Sequence, residues 1–151
     1  MNCVEDRKER AVEYFSRNFN CSQSVLAAYA VEHGLDEKLA LKLGTCLGGG
    51  ARKGELCGAV SGALMALGLF YGHSESSDAA AKAKAYAMTN EFMDRFIRKN
   101  GSVVCRELLK YDMSIPEERK MIVEKNLFST VCPEMIRSAV EILDELLENH
   151  E

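Results

Sequence analysis

Apolar residues recur at intervals of three and four along nearly every segment of the chain, and this periodicity restricts its fold more than any other feature. Such spacing places apolar side chains on one face of an α-helix. No run of alternating β-branched residues, which would indicate a half-buried strand, is present. A length of 151 residues is typical of one domain. The sequence therefore predicts an all-α, single-domain bundle of about six to eight helices over residues 1–151.

One predicted helix, over about residues 56–71, is apolar on most of its sides. Because a helix without a polar face is usually buried, we predict that it lies at the centre of the bundle. The helix that begins near residue 22 is expected to end at Gly34, which suits the left-handed position after a helix. In the short helix that follows, the apolar spacing predicts that Leu39, Leu43 and Cys46 face the core.

Charge and hydropathy exclude several functional classes. The chain has 19 basic and 23 acidic residues and a formal net charge of −4, with no basic block, so nucleic-acid binding is not expected. The most apolar stretch, residues 63–71, is much shorter than the ~20 residues that a membrane-spanning helix requires. The sequence reaches charged residues within five positions of its start and shows no apolar signal core. We therefore expect a cytoplasmic protein without a membrane span.

Cysteine is the most informative residue type. In a reducing compartment, cysteines are more often metal ligands, redox thiols or core residues than structural disulfides. Four of the six are predicted at or near the start of a helix, in line with its buried face: Cys21, Cys57, Cys105 and Cys132. The backbone N–H groups at a helix start favour thiolate, and thiols on four inward faces could converge. Cys46, near a helix end, and Cys3, near the chain start, are treated as accessory.

The cysteine pattern by itself has two interpretations. The four residues could be small buried side chains that only fill the core, or they could form a metal or redox site. Their separations of 36, 48 and 27 residues match no short-range ligand motif. Any convergence of the thiols must therefore come from the fold.

A glycine-rich loop, residues 48–54, leads into the central helix. Arg52 and Lys53 in this loop could offset the charge of a thiolate or of an anionic cluster, and Gly58 could allow a backbone or a cofactor to approach closely. Alternatively, these glycines only turn the chain and allow helices to pack. A phosphate-binding loop is disfavoured because no serine or threonine follows the lysine.

Residues 57–62 read C-G-A-x-x-G, with further cysteine elements at 20–25, 101–108 and 131–133. Together these elements resemble a family of small proteins described as redox-active, whose name writes the central motif G-C-A-x-x-G, with glycine and cysteine in the other order. The likeness spans residues 20–145 and implies a redox role for the four cysteines. A related domain occurs in split-Soret cytochrome c, where such cysteines are associated with an iron–sulfur centre. The chain has no C-x-x-C-H motif, so covalent c-type haem is not expected.

With this resemblance, the leading hypothesis is that the four cysteines ligate an iron–sulfur cluster, of the two-iron type, for electron transfer to an unidentified redox partner protein or for redox sensing. Arg52, Lys53 and Gly58 would lie beside the cluster. Three alternatives stay open: a metal-free thiol–disulfide protein with Cys57 as the reactive low-pKa thiolate, a structural zinc site, and a helical binding module without a cofactor. The sequence also leaves a homodimer open.

Overall fold

The computed structural model describes the backbone of residues 3–150 and the side chains of residues 6–150. Within this range the chain forms eight α-helices: α1 Cys3–Ser16, α2 Cys21–Ala30, α3 Glu37–Gly44, α4 Gly58–Tyr71, α5 Ala79–Asn100, α6 Cys105–Leu109, α7 Pro116–Glu124 and α8 Cys132–Asn149. A single helical turn, Leu127–Thr130, precedes α8. The only β-pairing among the described residues is an isolated antiparallel bridge between Leu56 and Val104. The predicted all-α fold is confirmed.

Helix α4 lies at the centre of the bundle, as predicted, and packs against α2, α5 and α8. Its buried residues are mostly small, and Ala59, Val60 and Ala63 are fully buried. At Gly62 a Cβ atom would lie 2.7 Å from the Ser22 carbonyl oxygen of α2, so this glycine lets the two helices pack closely. Neither α4 nor any other helix in the described part of the chain is long and apolar enough to span a membrane.

The start of α2 is held by reciprocal hydrogen bonds. The Asn20 side chain accepts from the Gln23 backbone N–H at 2.9 Å, and the Gln23 side chain accepts from the Asn20 N–H at 2.9 Å. This capping box satisfies two backbone donors that would otherwise lack partners. Because Cys21 is the first residue of α2, the capping box also positions this cysteine. The segment ends as predicted at Gly34, whose φ is 74°.

The predicted buried face of α3 is wrong. Three residues expected to face the core are exposed: Leu39, Leu43 and Cys46. Ala40 is fully buried instead, because α3 packs very closely against α2. A Cβ atom at Gly44 would lie 2.8 Å from the Gln23 backbone. The buried residues of α3 are Ala40, Leu41 and Gly44, whereas Leu39 and Leu43 are left on the outside.

The buried apolar residues form a large core and two smaller clusters. Residues of α1, α2, α4, α5 and α8, with Ala40 of α3, build the large core, which includes Cys57 and has Cys21 packed against it. One smaller cluster joins α6 to α7 and includes Cys105, with Cys132 packed against it. The other joins α1, α2 and α3 and contains no cysteine. The large core and the α6–α7 cluster therefore carry two each of the four cysteines singled out in the sequence.

Candidate functional site

Four cysteines line one cavity of about 520 Å³: Cys21, Cys57, Cys105 and Cys132. Three of them are the first residues of α2, α6 and α8, and Cys57 is the N-cap of α4. The fold thus brings together the thiols that are widely separated in the sequence. Each is presented by the N-terminus of its own helix, where backbone N–H groups favour negative charge.

The bridge between Leu56 and Val104 brings two of these cysteines side by side. The Cys57 N–H donates to the Val103 carbonyl at 2.7 Å, and the Cys105 N–H donates to the Glu55 carbonyl at 2.6 Å. Residues 48 positions apart in the chain are therefore joined by backbone pairing. A pairing of so few residues has no recognisable hydrophobic pattern, and the sequence could not have predicted it.

The glycine-rich loop forms one wall of the cavity in a left-handed conformation. Gly49, Gly50, Ala51 and Arg52 have φ values of 66°, 62°, 55° and 67°. For residues with a side chain this conformation costs roughly 1–2 kcal/mol each. The loop is closed by the Glu55 N–H, which donates to the Gly50 carbonyl at 3.1 Å. In this conformation the loop places the Gly49 N–H and the Arg52 side chain at the cavity.

Cys21 is the thiol with a lowered pKa. A hydrogen bond from the Cys132 thiol has the largest effect, and the backbone N–H groups of Gly49 and Ser22 add to it. Together they outweigh burial, which acts in the opposite direction, and lower the pKa of Cys21 to about 7. Hydrogen bonds to the charged form of a group favour that form.

The other three thiols hold their protons more tightly. Burial, followed by the negative charge of Cys21, raises the pKa of Cys57 to about 12 and that of Cys105 to about 11. The pKa of Cys132 is also raised, chiefly because its thiol proton is held in the hydrogen bond to Cys21. The pKa of Cys57 therefore moves in the direction opposite to the one predicted. Its N-cap position supplies N–H donors from Ala59 and Val60, but burial outweighs them.

Of the three residues predicted beside the thiols, two line the cavity and one does not. Arg52 lines the cavity, and its positive charge acts to lower the pKa of Cys105. Gly58 also lines it, and a Cβ atom there would lie 2.8 Å from the Cys21 Sγ. Lys53 is exposed and is not among the residues that line the cavity.

The two accessory cysteines are not part of the described cavity wall. Cys46 is exposed, in a 3₁₀ turn after α3, and the Cys3 side chain lies outside the described residues. Arg119, which is on α7, also lines the cavity and was not predicted from the sequence. It is one of several charged residues on this helix, and nothing in the pattern distinguishes it. The hydrogen bond from the Gly49 N–H to Cys21 was also not predicted, because it depends on the left-handed conformation of the loop.

The metal-binding side chains on the described cavity wall are cysteine thiols, and the wall has no aspartate, glutamate or histidine. Thiolates select soft metals, zinc and iron–sulfur clusters. Across the described part of the chain, no three cysteine, histidine, aspartate or glutamate side chains are arranged around a single ion position. The four sulfurs are thus distributed around a shared cavity, close enough for Cys21 and Cys132 to form a hydrogen bond.

Comparison with known proteins identifies one family. The family model described as "Putative redox-active protein (C_GCAxxG_C_C)" matches residues 19–146, a range that contains all four cavity cysteines. No curated protein and no solved structure matches the chain. With most of its length matched, and with the cysteines of the family's name gathered in one cavity, the chain belongs to the C_GCAxxG_C_C family of redox-active proteins.

Proposed function

We propose that Cys21, Cys57, Cys105 and Cys132 hold an iron–sulfur cluster of the two-iron type, and that the protein transfers single electrons to a redox partner protein or senses redox state. The observation that carries this proposal is the cavity lined by four thiols from four helix N-termini. Such clusters are held by four cysteine thiolates. Because each iron takes two of them, the four sulfurs need not converge on a single point. The reducing cytoplasm, where thiols stay reduced, is the proposed place of action.

Residues around the thiols suit a negatively charged centre. The Gly49 N–H donates to Cys21, and the N–H groups of Ala59 and Val60 donate to Cys57. Hydrogen bonds to ligand sulfurs raise the reduction potential of an iron–sulfur centre. The guanidinium of Arg52 supplies a positive charge at the same wall. When bound, the cluster would supply one-electron chemistry, and these residues would orient its ligands and offset its charge.

Anaerobic reconstitution of the full chain tests this proposal. We expect about two iron and two sulfide per chain, with charge-transfer absorption in the visible range. Replacement of any one of the four cavity cysteines by serine should reduce iron incorporation strongly. Cys46→Ser is the matched control, because Cys46 is exposed and outside the cavity wall, and it should load fully.

Two outcomes would contradict the cluster. A reconstituted protein with neither iron nor a visible band would show that the cavity does not hold one. Colourless protein that retains zinc and loses it to a chelator would point to a structural zinc site instead.

The contact between Cys21 and Cys132 favours thiol–disulfide exchange as a second candidate function. Their thiols share a hydrogen bond, so they are the pair that we propose forms the disulfide. In such a reaction, the Cys21 thiolate attacks a disulfide substrate and releases one thiolate of that substrate. Cys132 then attacks the mixed disulfide and releases the second, so the substrate is reduced to two thiols and the protein holds a Cys21–Cys132 disulfide.

Glutathione disulfide is a suitable probe for this second function, used on metal-free protein in a Cys46→Ser background to remove the exposed thiol. Peptide mapping should identify a Cys21–Cys132 disulfide. With Cys132→Ser, the reaction should stop at a mixed disulfide between glutathione and Cys21. If both cysteines remain reduced while the protein is folded, this candidate is eliminated.

A further inference from the structure

The cavity extends beyond the four thiols, and most of the rest of its wall is apolar. Phe15 contributes from the end of α1 and Phe19 from the turn that follows it, and Phe128 and Met135 contribute from the region where α8 begins. Part of the floor is deeply buried, with Ile122 completely inaccessible to solvent. Cavities of about 300–1,000 Å³ with mainly apolar walls and a few polar groups are typical small-molecule sites. At about 520 Å³, this cavity lies within that range.

Two arginines are the only basic residues on the described cavity wall, which has no aspartate or glutamate: Arg52 and Arg119. Both side chains are exposed. Neither forms an ion pair within residues 6–150. The Arg119 guanidinium lies 5.8 Å from the centre of the Phe128 ring, so it sits over an apolar part of the wall. In a chain with a net charge of −4, this cavity therefore has two guanidinium groups without carboxylate partners among the described residues.

We infer that this cavity binds a small organic anion with an apolar, ring-sized body next to the thiols. Its carboxylate or sulfonate would pair with Arg52 and Arg119, since guanidinium groups bind planar oxyanions well. Its apolar part would contact the phenylalanine side chains and the buried floor. Binding of such an anion needs only the cavity and the arginines, whereas its use as an electron donor or acceptor rests on the proposed function.

A matched pair of fluorescent probes tests this assignment. 1-Anilinonaphthalene-8-sulfonate is an organic anion with an apolar ring system, and N-phenyl-1-naphthylamine has the same rings without the sulfonate. We expect the anion to bind at a single site. Arg52→Gln or Arg119→Gln should each weaken its binding by about fivefold, the equivalent of one modest ion pair. Binding of the neutral probe should change little.

The control is Arg98→Gln, because Arg98 is an exposed arginine on α5 that is not part of this cavity; it should leave binding of the anion unchanged. Unfolding curves of all variants should coincide with that of the parent, which excludes dye binding to a loosened core. Equal effects of all three substitutions on the anion, or equal affinity for both probes, would overturn the assignment.

The same samples separate this assignment from the cluster proposal. Probe binding to metal-free protein that cannot be loaded with iron would support the anion site and reject the cluster. Full iron loading with no probe binding in either the metal-free or the loaded form would support the cluster and reject the anion site.

Discussion

Cys21 differs from the other cavity thiols in the number of hydrogen bonds that its sulfur accepts. The Cys132 thiol, the Gly49 N–H and the Ser22 N–H all donate to it. A thiolate is stabilised by such donors, whereas a neutral thiol gains little from them. Cys21 is therefore the first of these thiols to ionise as pH rises, and its negative charge in turn raises the pKa values of its neighbours Cys57 and Cys105.

Alkylation by iodoacetamide should reveal this difference in metal-free protein. At pH 7 the thiolate fraction of Cys21 should be roughly 15 times that of an ordinary thiol with a pKa of about 8.5. Its lower basicity reduces its intrinsic nucleophilicity by about fivefold, so the net rate should be about threefold higher. Because the pKa is lowered, the rate should fall as pH drops below 7 and level off above about pH 8.

Peptide mapping assigns the alkylated residue. Cys132→Ala removes the strongest donor to Cys21 and should shift its rate profile to higher pH. Faster labelling of Cys57 than of Cys21 would contradict the geometry of the cavity.

Gly58 provides the space that the Cys21 sulfur occupies. A methyl group at this position would lie 2.8 Å from the Cys21 Sγ and 3.1 Å from the Ser22 nitrogen. We therefore expect Gly58→Ala to displace the thiol and reduce iron incorporation severalfold in reconstitution assays. Gly68→Ala is the matched control in the same helix, because nothing lies within 4 Å of its added Cβ. It should keep full incorporation and stabilise α4 by about 0.5–1 kcal/mol.

At the scale of elements, the left-handed loop before α4 has the most unusual backbone. Four consecutive residues with positive φ place Arg52 at the cavity wall, and two of them are not glycine. Such strain persists when surrounding contacts enforce it, and it is frequent at functional sites. Here the hydrogen bond from Glu55 to Gly50 and the bridge between Leu56 and Val104 hold both ends of the turn.

Ala51→Gly should relieve part of this strain. The left-handed conformation costs alanine roughly 1–2 kcal/mol, and the greater flexibility of unfolded glycine offsets roughly 0.5–1 kcal/mol of that gain. We expect a net stabilisation of about 0.5–1 kcal/mol in denaturant unfolding. The same substitution at Ala83, exposed within α5, should destabilise by about 1 kcal/mol. If both substitutions stabilise the protein, or both destabilise it, this account of the loop is contradicted.

At the scale of the whole molecule, a buried carboxylate connects three helices. Asp144 of α8 accepts from Arg7 of α1 at 2.8 Å and from the Tyr29 hydroxyl of α2 at 2.8 Å. Asp144 is 1% exposed, and its second oxygen has no hydrogen-bond partner among the described residues. Burial raises its pKa in spite of both donors. Asp144 therefore holds α1 against the core, although one of its two carboxylate oxygens accepts no hydrogen bond from the described residues.

Removal of this carboxylate should destabilise the bundle. Asp144→Ala leaves Arg7 and the Tyr29 hydroxyl without their shared partner, although Arg7 keeps Glu32 at 2.7 Å. We expect a loss of about 2–4 kcal/mol in the free energy of unfolding. Glu145→Ala, at an exposed neighbour that pairs with Arg95 at 3.3 Å, should cost less than about 1 kcal/mol. Similar losses for both variants would contradict the role of the buried pair.

The cavity also lies between the large core and the apolar cluster of α6 and α7, each of which carries two of the cysteines. An iron–sulfur cluster bound by all four would connect these two parts covalently through the metal. Reconstitution should therefore slow amide hydrogen exchange in α6 and α7 by more than tenfold, the factor that about 1.4 kcal/mol of added local stability produces. Helix α5, which contributes no residue to the described cavity wall, is the internal reference. Equal slowing of amide hydrogen exchange in α5 and α7 on reconstitution would contradict this expectation.

The all-α class, the central helix and the helix-start positions of four cysteines follow from local patterns. Apolar periodicity, capping residues and the C-G-A-x-x-G segment are all properties of short stretches, so the sequence alone determined them. The buried face of α3 could not be predicted in this way, because it depends on the close approach of α2 at Gly44, which is a tertiary contact.

The pKa values of the thiols also depended on tertiary contacts. A pKa reflects every donor, charge and apolar group around the sulfur, and for Cys21 these come from the start of α8 and from the left-handed loop. The position of each cysteine at a helix N-terminus was visible in the sequence. Which thiol carries the charge was decided by contacts between residues as much as 111 positions apart in the chain, from Cys21 to Cys132.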